Sequence, residues 1–391
     1  MPFENDLVIR VHAGATDLPA TAWDALVDAS PLAGPFMHHA YLSALEDSAS
    51  AVADTGWQPC FLAVWRGDQL AAACPLYLKT HSYGEYVFDW AWADAYQRNG
   101  LRYYPKLLGA VPFTPVPGPR LLARDDAARD TLLQGLQALA TQQKFSSVHL
   151  LFIDDADRQA VLRAEDQGWM LRSTVQFHWH NRSPLPYADF TDFTASLQRD
   201  KRKKLQQERR RVSDARVQFR TLQGTQIGTA DWDYFYRCYE ATYEAHHSTP
   251  YLTRDFFARM QQGMAESWLM FVAELDGERI AASLVAIDVE RRVAYGRYWG
   301  ATYNLPCLHF EACYYQPLQW CIAQGYLRFE GGAQGEHKMA RGLLPVQTWS
   351  AHWLSHPGFA DAVAQFLARE SAGIDAYVGE LATRSPFRSE I

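Results

Sequence analysis

The sequence predicts an α/β fold with mixed sheets, made of two tandem copies of one unit. Two segments carry the duplication. FLAVWRGDQLAAACPLYL begins at Phe61 and FVAELDGERIAASLVAID at Phe271, a constant offset of 210 residues. The leading Phe, the turn glycine (Gly67, Gly277) and an Ala-Ala pair coincide. Each segment reads as strand, tight turn, strand. The second strand of each is almost wholly apolar, the pattern of a strand buried on both faces, so helices should cover the sheet. The elements that follow the two hairpins also come in one order, a helix and then a strand.

After the first hairpin comes a proline-bearing loop, 105–119. A helix follows over DAARDTLLQGLQALATQQ, with Leu132, Leu133, Leu136 and Leu139 at helical spacing, and then the strand SSVHLLFI. After the second hairpin come a strand over 293–299, a helix over 308–324 and a strand over 326–330. In each half the returning strand should run parallel to a hairpin strand, by the right-handed crossover rule. The polar stretch NRSPLPYADF (181–190) marks the boundary and gives domains over 1–185 and 186–391.

Hydrophobic residues make up 48% and charged residues 21% of the 391, which excludes a disordered or fibrous chain. No apolar run reaches the ~18 residues that span a bilayer, and the N-terminus has no secretory pattern, so the expected location is the cytoplasm. Six cysteines without a CxxC pair read as small buried hydrophobes. The net charge of −7 hides one basic run, RDKRKKLQQERRR (199–211), with eight basic and two acidic residues. It reads as a helix with Leu197, Leu205 and Val212 on one side. Arg202, Lys203, Arg209 and Arg210 exceed the acids near them. They are candidates for a phosphate-bearing or nucleic-acid partner, against a plain solvated face.

Three features of 296–342 could carry chemistry. In the helix over 308–324, Glu311, Tyr314, Tyr315, Leu318 and Ile322 form one stripe, with Glu311 near the N-terminus and Pro317 expected to kink it. The stretch GGAQGEHKMARG (331–342) follows a strand and carries Gly332, Gln334, Gly335, Glu336, His337, Lys338 and Arg341. Its glycines permit close approach of a ligand to the backbone, at the strand end where α/β sites sit. In the strand AYGRYWG, alternation puts Tyr295, Arg297 and Trp299 on one face and Tyr298 on the other. His309, Glu311 and His337 lack metal-ligand spacing, so no metal is expected. No GxSxG elbow is present.

The segments GRYWG, LHFEACYYQ and FEGGAQGEHKMARG, with SPLAGPFMHHAYLSALE and LQRDKRKKLQQERRRV, resemble the FemAB-like peptidoglycan biosynthesis/recognition family. That family falls within the GNAT-like acyl-CoA N-acyltransferase superfamily. The resemblance covers most of the chain and implies two tandem GNAT-like domains, with the working site in the second. It implies acyl or aminoacyl transfer to an amine in cell-wall peptide metabolism, as in the Fem ligases. The donor would be acyl-CoA or aminoacyl-tRNA, used as co-substrate with no permanently bound cofactor. The acceptor would be the amine of a peptidoglycan-precursor peptide. No Q/RxxGxG/A pyrophosphate run is present and QGEHKMARG is only loosely similar, so the donor stays open.

Such a transfer needs a base for the amine and donors for the oxyanion. Glu311, Glu336 or His337 could take the proton. Backbone N–H groups at 332–335, Tyr298 or Tyr315 could hold the oxyanion. Arg297 and Gln334 would contact substrate, and Lys338, Arg341 and the basic helix would hold phosphates. We expect Glu311, His337, Arg341, Tyr315 and Tyr298 to converge on one pocket, with Arg341 facing the donor. The other reading is a recognition protein that binds a peptidoglycan precursor, a lipid headgroup or RNA without catalysis.

Overall fold

The computed structural model describes residues 7–333 and 335–388. The chain forms two compact units. One takes the chain up to Thr174 together with Gln347–Ala376, the other Val175–Val346 together with the chain from Tyr377.

In the first unit, Leu7–His12, Phe61–Arg66, Gln69–Cys74 and Leu122–Ala123 lie side by side as antiparallel strands. Gly67 turns the hairpin at φ +59, with open space on the side where a Cβ would project, so backbone conformation alone selects glycine. Pro75 cannot donate to a ladder, and the apolar run breaks there. Leu76–Lys79 then pairs with Trp57–Pro59 on one side and Lys106–Gly109 on the other. Lys106–Gly109 runs parallel to Ser147–Ile153, and the helix Asp126–Gln143 makes the crossover. Asp125 caps that helix by accepting from the Ala128 N–H, and Leu132, Leu133, Leu136 and Ala140 pack into the core below it.

The second unit repeats this plan without the break. Gln218–Gln223, Trp268–Leu275, Glu278–Asp288 and Val293–Ala301 are antiparallel, and Gly277 turns the hairpin at φ +85. Val293–Ala301 then runs parallel to Arg328–Ala333 across a crossover helix that starts at Leu308. The 210-residue offset therefore joins hairpins with equivalent neighbours, since an antiparallel strand lies beside the first strand of each, Leu7–His12 and Gln218–Gln223. In the second unit the ladder runs on from the hairpin through Val293–Ala301 to Arg328–Ala333, whereas in the first the hairpin lies in a four-stranded, wholly antiparallel sheet and the parallel pair lies in a separate one.

The last strands of the two repeats are exchanged. The strand Met170–His180 ends in the second unit, where its residues 176–180 pair antiparallel with Arg328–Ala333. The strand Leu344–Leu354 ends in the first unit, where its residues 349–354 pair with Ser147–Ile153. This places the division at 174/175, with a returning C-terminal segment, where sequence reading puts a single cut at 185/186. The polar stretch is a loop up to Asp189, where the helix Phe190–Ser196 is capped, but the chain has already joined the second sheet before it begins.

A lysine with no exposed surface anchors the first unit. Lys106 Nζ donates to Ser82 Oγ and Glu85 Oε2 at 2.8 Å each, and to Asp89 Oδ2. Burial opposes its charge, yet Glu85 and Asp89 hold its pKa above the ordinary lysine value. Lys106→Met should cost about 3–5 kcal/mol, because it strands two buried carboxylates. Urea unfolding followed by circular dichroism measures it; a loss under about 1 kcal/mol would mean the carboxylates find other partners.

Candidate functional site

The site is built where two parallel strands part. Val293–Ala301 and Arg328–Ala333 pair as Val293↔Arg328, Ala294↔Phe329 and Tyr295↔Glu330, and the ladder then ends. Beside that point Leu284 faces Tyr298 and Val285 faces Gly296, so Arg297 is an extra residue on its strand. Such a bulge reverses the alternation beyond it. Ala294 packs in the core with Tyr314 and Leu318 of the crossover helix. Trp299, five residues on, also faces that helix, with its ring 5.4 Å from His309. Tyr298 points to the opposite side, against Phe235, Tyr239 and Phe257. Tyr295 and Trp299 are thus on different faces. The simple alternation expected from sequence fails because it has no place for the extra residue.

The parted strands leave a pocket of about 130 Å³. Gly296, Tyr298, His309, Cys313, Tyr314 and Gly331 are among its walls, as are Arg297 and Ser283. Burial, reinforced by His337, Arg341 and Lys338, pushes His309 down to about 4, so its imidazole is neutral at pH 7. Lys338 is buried beside the same strand, donates to the Gly332 carbonyl at 3.0 Å, and is pushed down to about 8 by burial. Burial raises the Cys313 thiol and keeps it protonated. Arg297 Nη2 donates to Tyr298 Oη at 3.2 Å.

The helix wall has a specific local cause. It runs as Leu308–Phe310, a π-helical turn at Glu311–Tyr315, and Gln316–Ala323. In that register the Gln316 N–H reaches the Glu311 carbonyl, and the next donor in line, for Ala312, would be Pro317. Proline has no N–H. Ser283, buried on the neighbouring strand, donates its hydroxyl to the Ala312 carbonyl at 2.6 Å instead. The expected disturbance by Pro317 is therefore a widened turn just before it, and it turns Tyr314 and Glu311 to different surroundings.

The sequence candidates divide into two groups. The basic helix, Arg199–Asp214, buries Leu205, Glu208 and Val212. Glu208 binds Arg341 Nη2 at 2.9 and 3.0 Å and accepts from the Tyr315 hydroxyl. Arg341 is 1% exposed, stacks 3.5 Å over Phe310 and donates to the His337 carbonyl at 2.7 Å. Its guanidinium, expected to face the donor, is engaged by the Glu208 carboxylate. Glu311, 4% exposed, accepts from Arg209 at 2.9 Å and from Gln316 at 2.7 Å. Those partners occupy the carboxylate expected to act as a base, and they occupy Arg209, expected to hold phosphate. Counting charges along the sequence misses this pair because its members lie 102 residues apart.

His337 reaches this cluster through Tyr314, whose hydroxyl lies 3.3 Å from its Nε2; burial and the nearby cations lower its pKa. Tyr298 stands apart on a wall of the 130 Å³ pocket, whose described lining does not include Glu311, Tyr315, His337 or Arg341. Glu336 faces away and bonds Tyr377 at 2.8 Å and Arg384 at 3.2 Å. Gly332 (φ +76) and Gly335 (φ +105) both need the left-handed region. Gln334 lies outside the described residues. Lys203 and Arg210 are exposed, Arg210 3.5 Å from Asp214, and Arg202 is half-buried.

Three residues that sequence reading passes over matter here. In the sequence His309 stands out only as a metal-ligand candidate, and Glu208 only as one of two acids in a basic run. Glu330 is 3% exposed, lies 3.9 Å from His178 Nε2, and is raised to about 7 by burial. Among the described residues no three His, Cys, Asp or Glu side chains are grouped to hold a metal ion, and no helix is long and apolar enough to cross a membrane.

The paired hairpins, crossover helices and forked parallel strands define a tandem GNAT-like fold. FemX has the same fold, with a TM-score of 0.54 at 10% identity over 89% of this chain and 98% of that one. L-PGS from Bacillus licheniformis superposes with a TM-score of 0.50 at 11% identity over 83% of this chain and 95% of that one. The chain belongs to the FemAB-like family of peptidoglycan biosynthesis/recognition, whose pattern matches residues 14–389. No curated protein sequence matches it.

Two expectations follow. Ser283→Ala should cost about 1–3 kcal/mol, by leaving the Ala312 carbonyl buried and unsatisfied. Thermal and urea unfolding read this, and an unchanged midpoint would remove the hydroxyl from the account of the π turn. The second concerns acid. His309 has a folded pKa of about 4 against an unfolded value near 6.5. Between these values the unfolded chain binds the proton and the native chain does not, so this residue's contribution is lost as pH falls from about 6.5 toward 4. His309→Asn should therefore lose less stability than the parent across that window. Equal losses would show that His309 protonates without penalty.

Proposed function

We propose that this chain transfers an aminoacyl or acyl group to the amine of a peptidoglycan-precursor peptide, with the reacting carbonyl held in the pocket at the strand fork. The observation that carries this is the end of the parallel ladder at Tyr295↔Glu330, beside a neutral His309 and a buried Lys338. Where strands part, backbone groups of 296–299 lose their ladder partner and become available to a ligand amide or an oxyanion. The family and the GNAT-like fold support a transferase reading.

In this reading the acceptor amine attacks the donor carbonyl, and the new C–N bond forms as the carbonyl oxygen gains negative charge. Lys338 and the strand-edge N–H groups stabilise that oxygen. The amine's proton passes by way of His309 to the donor's ribose oxygen or sulfur, whose bond to the carbonyl carbon breaks as the carbonyl re-forms. Arg297 and the Tyr298 hydroxyl orient the acceptor. Arg202, Lys203 and Arg210, on the outer face of the basic helix, contact the phosphates of tRNA or CoA. Glu311, Tyr315 and Arg341 serve as the frame of the site.

The test supplies a charged tRNA mixture or acyl-CoA together with a precursor pentapeptide, and follows amide formation by mass spectrometry. We expect His309→Ala and Tyr298→Phe each to lower turnover, His309→Ala by ~10²-fold. Changing Arg202, Lys203 and Arg210 to Gln should raise the donor's KM and flatten its salt dependence while sparing kcat. Transfer from neither donor would sink the reading, as would full activity in both pocket variants. Phosphate-dependent binding without transfer would favour a recognition protein.

A further inference from the structure

One segment of the first unit is folded inside out. Along SYGEYVFDW (82–90) the polar side chains are buried and the rings are exposed. Ser82, Glu85 and Asp89 point inward, and all three hydrogen-bond the buried Lys106. Tyr83, Tyr86, Phe88 and Trp90 are 59%, 37%, 50% and 39% exposed. Burying a large apolar side chain is favourable, and desolvating polar groups costs free energy. The segment forgoes the first and incurs the second. A fold that breaks the burial rule four times in eight residues does so where the exposed groups have a use.

The arrangement is also held firmly. Asp89 accepts from the Tyr103 hydroxyl at 2.6 Å, and Ser82 bonds the Tyr104 hydroxyl at 2.8 Å. Arg172, paired with Glu370 at 2.8 Å, donates to the Phe88 carbonyl at 2.8 Å. On the outside, the Tyr83 and Trp90 rings meet edge to face with centroids 5.0 Å apart. The segment that carries the rings is therefore held from below, by an ionic anchor that the transfer chemistry does not use.

We propose that Tyr83, Tyr86, Phe88 and Trp90 form a platform that binds the sugar rings of a neutral N-acetylhexosamine oligosaccharide. The choice of a glycan rests on the peptidoglycan reading above. Its chemistry fits the surface. An aromatic face is electron-rich, and the C–H groups on the flat side of a pyranose are its electropositive complement. The Tyr hydroxyls and the Trp N–H add donors and acceptors for ring hydroxyls and acetamido groups. A bilayer is the other partner that exposed Trp and Tyr suit, but membrane-surface elements pair such rings with Lys and Arg. Residues 80–92 contain neither, and the chain's net charge of −7 opposes an anionic lipid surface.

The experiment titrates chitotetraose and chitobiose into the full chain by calorimetry, with no acyl donor present. We expect saturable binding of the sugars that weakens at least about tenfold in a Tyr83→Ser/Trp90→Ser double variant. The melting temperature of that variant should stay within a degree or two of the parent, because exposed rings contribute little to stability. Vesicles of phosphatidylglycerol and phosphatidylethanolamine should not co-sediment the protein. No sugar binding, or equal binding by the double variant, would overturn the proposal. So would ring-dependent vesicle binding. The readout needs no transfer, so sugar binding without activity would fault only the catalytic reading, and transfer to a bare pentapeptide without sugar binding would fault only the platform.

Discussion

The site of the second unit depends on a buried ionic clamp. Glu208 and Arg209 are adjacent on the basic helix and have opposite charges, and each finds its partner elsewhere in the unit. Glu208 holds Arg341 and Tyr315, while Arg209 holds Glu311. One turn of helix thereby fastens two elements: the π turn of the crossover helix, and the short helix Glu336–Arg341 that follows the glycine-rich strand end. A buried pair is weak evidence for added stability, since desolvation offsets much of the attraction. Its value here is geometric. With Arg341 and Glu311 fixed, Tyr314 and His309 are presented to the fork from one side while Lys338 is packed beside the other.

The duplication, the element order and the apolar strands are legible in the sequence because they rest on local periodicity and on a repeat. The strand exchange is not, because pairing partners in a duplicated sheet are alike in character. Residues 170–180 and 344–354 would each suit either half. The bulge at Arg297 escapes for a related reason. Alternation is a rule for regular strands, and a single inserted residue reverses it without a compositional mark.

The candidate site is half legible. Glycines and polar residues after a strand mark the neighbourhood of the fork, which both Tyr298 and Lys338 border. The charged residues mislead, because unpaired charge in sequence is no measure of unpaired charge in space. Arg209 and Arg341 look available for phosphate, yet both are committed to carboxylates. His309 carries little signal, since only burial and the cations around it distinguish its imidazole from an ordinary one.

The central claim is that the acyl carbonyl sits at the fork. It is tested most directly by a crystal structure of the chain with a non-reactive donor analogue, a thioether of CoA or an amide-linked aminoacyl-adenosine. The account predicts density for the acyl group between 296–299 and Gly331, within hydrogen-bond distance of the strand edge, with His309 beside it and the Glu208–Arg341 pair intact. Acyl density bound at Glu336, or against Glu311 with its link to Arg209 broken, would contradict it.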